Sequence, residues 1–126
     1  FLTAVLLSIE QCKYLTSLAH QLGMEVALKL YTVEEIDYLE CDVDLIIINN
    51  RIACSFDMDV NKSFEFAKLL PNDCIKVSEG GIYTPEKAKE LSDVGFQGII
   101  IGDLFMKTDN PGYALGEFIK GIKKEN

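Results

Sequence analysis

Long hydrophobic runs are missing from this chain. The longest uninterrupted apolar stretches, such as Leu45–Ile48, run to about four residues, against the roughly 18 needed to cross a bilayer. No membrane partner is therefore expected. Phe1–Leu7 is apolar, but it has neither a basic leading segment nor a small-residue cleavage site, so it does not read as a secretory signal. Histidine is scarce, His20 being the only one, and the four cysteines (Cys12, Cys41, Cys54 and Cys74) include no C-x-x-C pair. No metal site is expected from so thin a ligand set. The cysteines read as reduced, partly buried thiols of a cytoplasmic protein. Positive charge is also short: 12 Lys and Arg face 20 Asp and Glu, for a net charge of −8. Such a surface repels the phosphates of nucleic acid and gains nothing from anionic lipid. Linkers and low-complexity stretches are absent, so residues 1–126 are expected to form one domain. The chain starts without Met and reads as a piece of something longer.

What the sequence does contain is an alternation of β-rich runs and amphipathic segments. Leu2–Leu6, Glu25–Leu30, Leu45–Ile48, Ile75–Val77 and Ile99–Ile101 read as strands. The near-continuous Ile, Val and Leu in three of them suits parallel strands covered on both faces. Between them, Glu10–Leu22 puts Cys12, Leu15, Leu18 and Leu22 on one stripe, with Ser8 and Gln11 as a capping box. Thr32 and Glu35 repeat the box. Lys62–Leu70 is a third helix, and Thr84-Pro85 and Asn110-Pro111 each pair an N-cap with a proline that opens a helix. The order is five βα units. Right-handed crossovers then predict an α/β fold with a parallel sheet. Two architectures fit: a partial (β/α)₈ barrel, since eight units need about 250 residues, or an open, doubly wound five-stranded sheet. A phosphoreceiver of the second kind needs an acidic cluster after its first strand and an Asp after its third. Here those places hold Val5-Leu6-Leu7-Ser8 and Asn49-Asn50-Arg51.

In either architecture the chemistry lies just beyond the carboxyl ends of the strands. The polar inventory there is Lys29 and Tyr31, then Asn49, Asn50 and Arg51, then Ser78, Glu79, Gly80 and Gly81, then Gly102 and Asp103. Glycine turns after two consecutive late strands let backbone N–H groups approach an anion, and the following helix adds a favourable dipole. Two amides and a guanidinium directly after Ile46–Ile48 are costly to bury without partners. They fit either orientation of a polar substrate or an internal Arg–carboxylate pair.

The motifs resemble one family. Ile48-Asn49-Asn50-Arg51 with Phe56-Asp57-Met58-Asp59 is similar to the INNR…F-x-x-D signature of indole-3-glycerol phosphate synthase. Ser78–Glu86 resembles its SESGI-x-TPE, and Ile101–Met106 with Asp109–Gly112 resembles its VGESLM…DPG. The match stays in register over nearly the whole chain and makes it strands four to eight of the barrel. The resemblance implies a lyase of tryptophan biosynthesis. It closes the indole ring of 1-(2-carboxyphenylamino)-1-deoxyribulose 5-phosphate with loss of CO₂ and water, using no cofactor or metal. It implies catalytic positions at Asn49, Glu79 and Lys29. It also implies substrate or phosphate contacts at Arg51, Ser78, Gly80, Gly81, Gly102 and Asp103.

Two departures stand out. The family's general-base glutamate, from its EV-x-V-E-V-H strand, falls on Lys29, and the second serine of SESG falls on Gly80. The strands that carry the family's general-acid lysine lie outside the match. Losing a positioned acid or base typically costs about 10²–10⁴-fold each, so little catalysis is expected of these residues alone. Five barrel strands also leave two raw sheet edges. The missing strands, or self-association, are expected to cover them. The remaining singled-out residues read blandly: His20 as a surface group near a helix end, and Phe64, Phe66, Phe96, Phe105 and Phe118 as core.

Overall fold

The computed structural model describes residues 1–124. Five strands, β1 (Leu2–Thr3), β2 (Ala27–Leu30), β3 (Leu45–Asn49), β4 (Lys76–Glu79) and β5 (Gly98–Ile100), form one sheet. All neighbours are parallel, and the spatial order β1-β2-β3-β4-β5 follows the chain. That order decides between the two architectures. A doubly wound sheet reverses its strand order at a switch point, whereas a barrel adds each strand beside the last. The chain is an arc of a (β/α)₈ barrel. β1 and β5 each pair on one side only, so the sheet does not close.

Of five α-helices, the first, third and fifth begin at the capping signals read from the sequence. The five are α1 (Ile9–Gln21), α2 (Asn61–Leu69), α3 (Pro85–Asp93), the short α4 (Asp103–Met106) and α5 (Pro111–Lys123). Ser8 and Gln11 make the reciprocal cap of α1, at 3.1 and 2.8 Å. Thr84 accepts from the Lys87 N–H, and Asn110 from the Tyr113 N–H, while Pro85 and Pro111 open α3 and α5. Each cap satisfies an amide that the helix itself leaves without an acceptor.

The two sheet faces differ. Leu28, Leu30, Ile46 and Ile48 point to the helices and form the core with Cys12, Phe66, Leu91 and Phe118. On the other face, register aligns Thr3, Lys29, Ile47, Val77 and Gly98 in one row, and Asn49, Glu79 and Ile100 in the next row towards the strand ends. This second face is the concave one of the barrel arc, and its upper row carries the polar groups.

Two expectations are corrected. The run Leu2–Leu6 is strand only at Leu2–Thr3, after which Ala4–Leu6 winds into a 3-10 turn closed by Leu7 N–H to the Ala4 carbonyl. The turn takes these residues away from β2, whose pairing with β1 ends at Thr3 and Lys29. The segment after Thr32 is a nine-residue 3-10 helix, Val33–Cys41, rather than an α-helix. Glu35 still reaches back, accepting from the Tyr31 N–H at 2.7 Å.

At the opposite end of the barrel from the polar row, Asp44 ties α1 to β2. Its carboxylate accepts from the Val26 N–H at 2.6 Å and lies 2.8 Å from His20 Nε2. His20 is thus a tether as well as a helix-end group. The His20 contact, then the Val26 N–H, holds the Asp44 carboxyl below its ordinary range. A lowered folded-state pKa stabilises the fold above the unfolded value, near 4, and that contribution fades as pH falls below it. Asp44→Asn is therefore expected to melt lower than the parent chain at neutral pH. The two melting curves should converge in acid, as thermal scans across pH will show.

Candidate active site

The polar group is assembled by three strands, with Asn49 and Glu79 from the upper row and Lys29 from the row below. Glu79 stands at the end of β4 and Asn49, its register partner, at the end of β3. Asn49 Nδ2 donates to Glu79 Oε2 at 3.1 Å, and Lys29 Nζ, from β2, lies 3.0 Å from Oε2 and 3.4 Å from Oε1. The three residues expected to be catalytic form one contiguous group. The Glu79 carboxylate is held between an amide and an ammonium, with both partners of the ion pair about one-fifth exposed. Asn49 is oriented in turn, because its Oδ1 accepts from the Arg51 N–H at 2.9 Å.

Beside this group opens a cleft of about 250 Å³. Arg51 and Met58 line it from the loop after β3, Glu79 to Tyr83 from the loop after β4, and Ile100 to Leu104 from the end of β5 into α4. Six expected site residues therefore converge on one space: Arg51, Glu79, Gly80, Gly81, Gly102 and Asp103. The Arg51 guanidinium lies over the Phe56 ring, 5.7 Å from its centroid. Among the described residues it has no carboxylate partner, so the reading of an internal ion pair is not what the structure shows. The first amides of α4 have no intrahelical acceptor, and they open at Gly102, where nothing stands within 4 Å of a notional Cβ.

The two glycines after Glu79 are needed for packing as well. Gly80 and Gly81 have φ of +96° and +72°, and a Cβ on Gly80 would meet Met58 Sδ at 2.8 Å. Gly80→Ala combines a strained backbone with that overlap. It is expected to lower stability by about 2 kcal/mol, read as a fall in the urea midpoint. Adding Met58→Ala should restore only the part due to overlap.

Ser78 is placed elsewhere than expected. It is fully buried on the helix-facing side of β4, below the cleft, and its hydroxyl contacts Asn50 Nδ2 at 3.0 Å and Ser63 Oγ at 2.6 Å. Strand alternation forces this, since Glu79 faces the cleft and its neighbour must face away. Asn50 likewise turns inward. Its Nδ2 also donates to the Gly80 carbonyl at 2.8 Å, its Oδ1 accepts from Ser63 at 2.8 Å, and its backbone N–H bonds the Glu79 carbonyl. This buried knot fixes the loops that carry Arg51, Glu79 and Gly80. Sequence reasoning left Ser63 and Met58 without roles. Met58 lay within the Phe56–Asp59 motif, but nothing local marked Ser63.

The family model for indole-3-glycerol phosphate synthase matches residues 1–118. The chain belongs to that family. The indole-3-glycerol phosphate synthase of Bacteroides thetaiotaomicron is 45% identical over 122 residues, covering 97% of this chain and 47% of that protein. The synthase of Caldanaerobacter subterraneus is 35% identical over 115 residues, covering 90% and 44%. The chain thus spans about half the length of the synthases it matches. A solved structure described as "Native KDPGal structure" superposes with a TM-score of 0.62 at 20% identity, over 94% of this chain and 53% of that one. This last likeness supports the fold alone. Among the described residues, no helix is long and apolar enough to cross a membrane.

Proposed function

We propose that the chain is the carboxyl-terminal, substrate-gripping half of an indole-3-glycerol phosphate synthase. The reaction is ring closure of 1-(2-carboxyphenylamino)-1-deoxyribulose 5-phosphate, with decarboxylation and dehydration, in the cytoplasm and without metal or cofactor. The observation that carries the reading is the convergence of Arg51, Glu79, Gly80, Gly81, Gly102 and Asp103 on one cleft, with Asn49 and Lys29 holding Glu79 at its wall. The phosphate sits on the amides of Gly81, Gly102 and Asp103, where glycine allows close approach and the start of α4 favours an anion. Asn49 and Glu79 face the reacting part of the substrate, and Arg51 stands across the cleft. The remaining barrel strands pair with the open edges of β1 and β5 and supply the general acid.

A second reading, a non-catalytic member that keeps the phosphate site, is favoured by the Lys29–Glu79 ion pair, which puts a cation where the family has its base. One experiment separates the two. The chain, alone and together with a segment supplying the first three strands, is mixed with the substrate, and product is followed by its indole fluorescence. Product from the combined halves supports the enzyme. Phosphate-induced shifts of the Gly81 and Gly102 amide signals, without turnover, support the binding member. The absence of both overturns both readings.

A further inference from the structure

The loop between β3 and α2 carries an aromatic ring that the core does not use. Residues 51–58 fold back as a tight hairpin. Arg51 bridges Met58, the Ile52 N–H bonds the Asp57 carbonyl at 2.9 Å, and the Ser55 N–H bonds the Ile52 carbonyl at 3.1 Å. Cys54 makes the turn with φ of +59°, and Ser55 Oγ accepts from the Asp57 N–H at 2.9 Å. At the base of the hairpin, Lys62 Nζ donates to the Arg51 carbonyl at 2.7 Å, and Asn49 Oδ1 holds the Arg51 N–H. The Arg51 backbone is thus pinned at both its polar groups. Its side chain has no carboxylate partner among the described residues, and the guanidinium lies over the Phe56 ring instead. Phe56 is 91% exposed, so burial of apolar surface does not account for its place.

We propose that Phe56 is a positioning residue, whose ring holds the Arg51 guanidinium at the cleft wall for the carboxylate of the substrate. The inference rests on the function proposed above, in which the phosphate takes the amides of Gly81, Gly102 and Asp103 and leaves Arg51, across the cleft, to the other anionic end. The nature of the partner is what matters. A protein carboxylate would also orient Arg51, but it would occupy the guanidinium N–H donors and cancel the charge. An aromatic ring attracts the cation through its face and takes no donor. Arg51 is therefore held in place and still unsatisfied, with its planar fork free for a bidentate carboxylate. Without the ring, the long side chain regains rotamer freedom, which must be given up again when the substrate binds.

The test uses this chain. It is titrated with 1-(2-carboxyphenylamino)-1-deoxyribulose 5-phosphate and, separately, with inorganic phosphate, and each dissociation constant is read from amide shifts. Phe56→Leu keeps apolar bulk but loses the aromatic face. It is expected to weaken substrate binding about threefold, to leave phosphate binding unchanged and to melt with the parent chain. Phe56→Tyr restores the face and should bind substrate as the parent does. In an Arg51→Met background, Phe56→Leu should add nothing further, the mark of a residue that acts through Arg51. Unchanged substrate affinity in Phe56→Leu overturns the proposal. So does an equal loss in the Arg51→Met background. A loss shared by phosphate, with a lower melting temperature, overturns it too, because Phe56 is then a structural residue. If the parent chain binds neither ligand, the proposed function fails, and the Arg51 side-chain protons decide this inference on their own. An upfield displacement by the ring, removed in Phe56→Leu, sustains the placement, and shifts that Phe56→Leu does not alter overturn it.

Discussion

Asn50→Ala is expected to destabilise the fold by about 3 kcal/mol, far more than an ordinary polar substitution. The side chain is fully buried and its three polar contacts go to Ser78, Gly80 and Ser63. Alanine removes all of them and leaves the Gly80 carbonyl and two hydroxyls short of partners in a site closed to water. Each unsatisfied group costs about 1–3 kcal/mol, softened here because Ser63 and Ser78 still bond each other. Domains of this kind have only about 5–15 kcal/mol in hand. The urea midpoint should fall with an unchanged slope, the sign of lost stability rather than a changed unfolded state. Asn49→Ala is the control. Glu79 keeps Lys29 when Asn49 is lost, so that variant should lose about 1 kcal/mol. Equal effects from the two substitutions would show that the buried knot is not what fixes these loops.

The contrast between these two neighbours shows where sequence reasoning ran out. Asn49-Asn50-Arg51 announces itself as polar residues after a buried strand, and in chain order all three look alike. Only the pleat separates them, because successive residues of a strand face opposite sides. Asn49 lies in the row of Glu79, whereas Asn50 is sealed beneath with Ser78. Ser78 lies on the buried side for the same reason. Its motif neighbour Glu79 faces the cleft, and resemblance along the sequence does not record direction. Helix starts were legible because a cap is local: Ser8 with Gln11, Thr84-Pro85 and Asn110-Pro111 each settle their own few residues. Strand ends were less so. β1 gives way to a 3-10 turn after Thr3, where its pairing with β2 stops, and pairing between strands is not a local property.

The site's charge balance follows from the fold in the same way. Lys29 and Glu79 are far apart in sequence, and the rows of the sheet bring them to 3.0 Å. An ion pair one-fifth exposed is partly screened, and its net worth to stability is modest. Its larger consequence is chemical. A general base must accept a proton within hydrogen-bond reach of the substrate, and an ammonium has no free lone pair to do so.

Lys29→Glu in a barrel completed with its first three strands is therefore expected to raise turnover by at least about 100-fold. The substitution puts a carboxylate where the family carries its base, on the strand next to Asn49 and within reach of the same cleft wall. It also sets two carboxylates side by side, so the variant should melt lower than the parent while working faster. Opposite movements of stability and turnover cannot come from a general improvement in folding. Lys29→Met makes the discrimination sharper, since it removes the ammonium without adding a base. That variant should leave turnover within a few-fold of the parent chain, because freeing Glu79 supplies no proton acceptor at the β2 position. If Lys29→Met were as active as Lys29→Glu, release of Glu79 would be the limiting feature rather than the missing base. If Lys29→Glu lowered turnover, the lysine would have a role of its own in this chain. Its hold on Glu79 would then be part of the chemistry, not a departure from it.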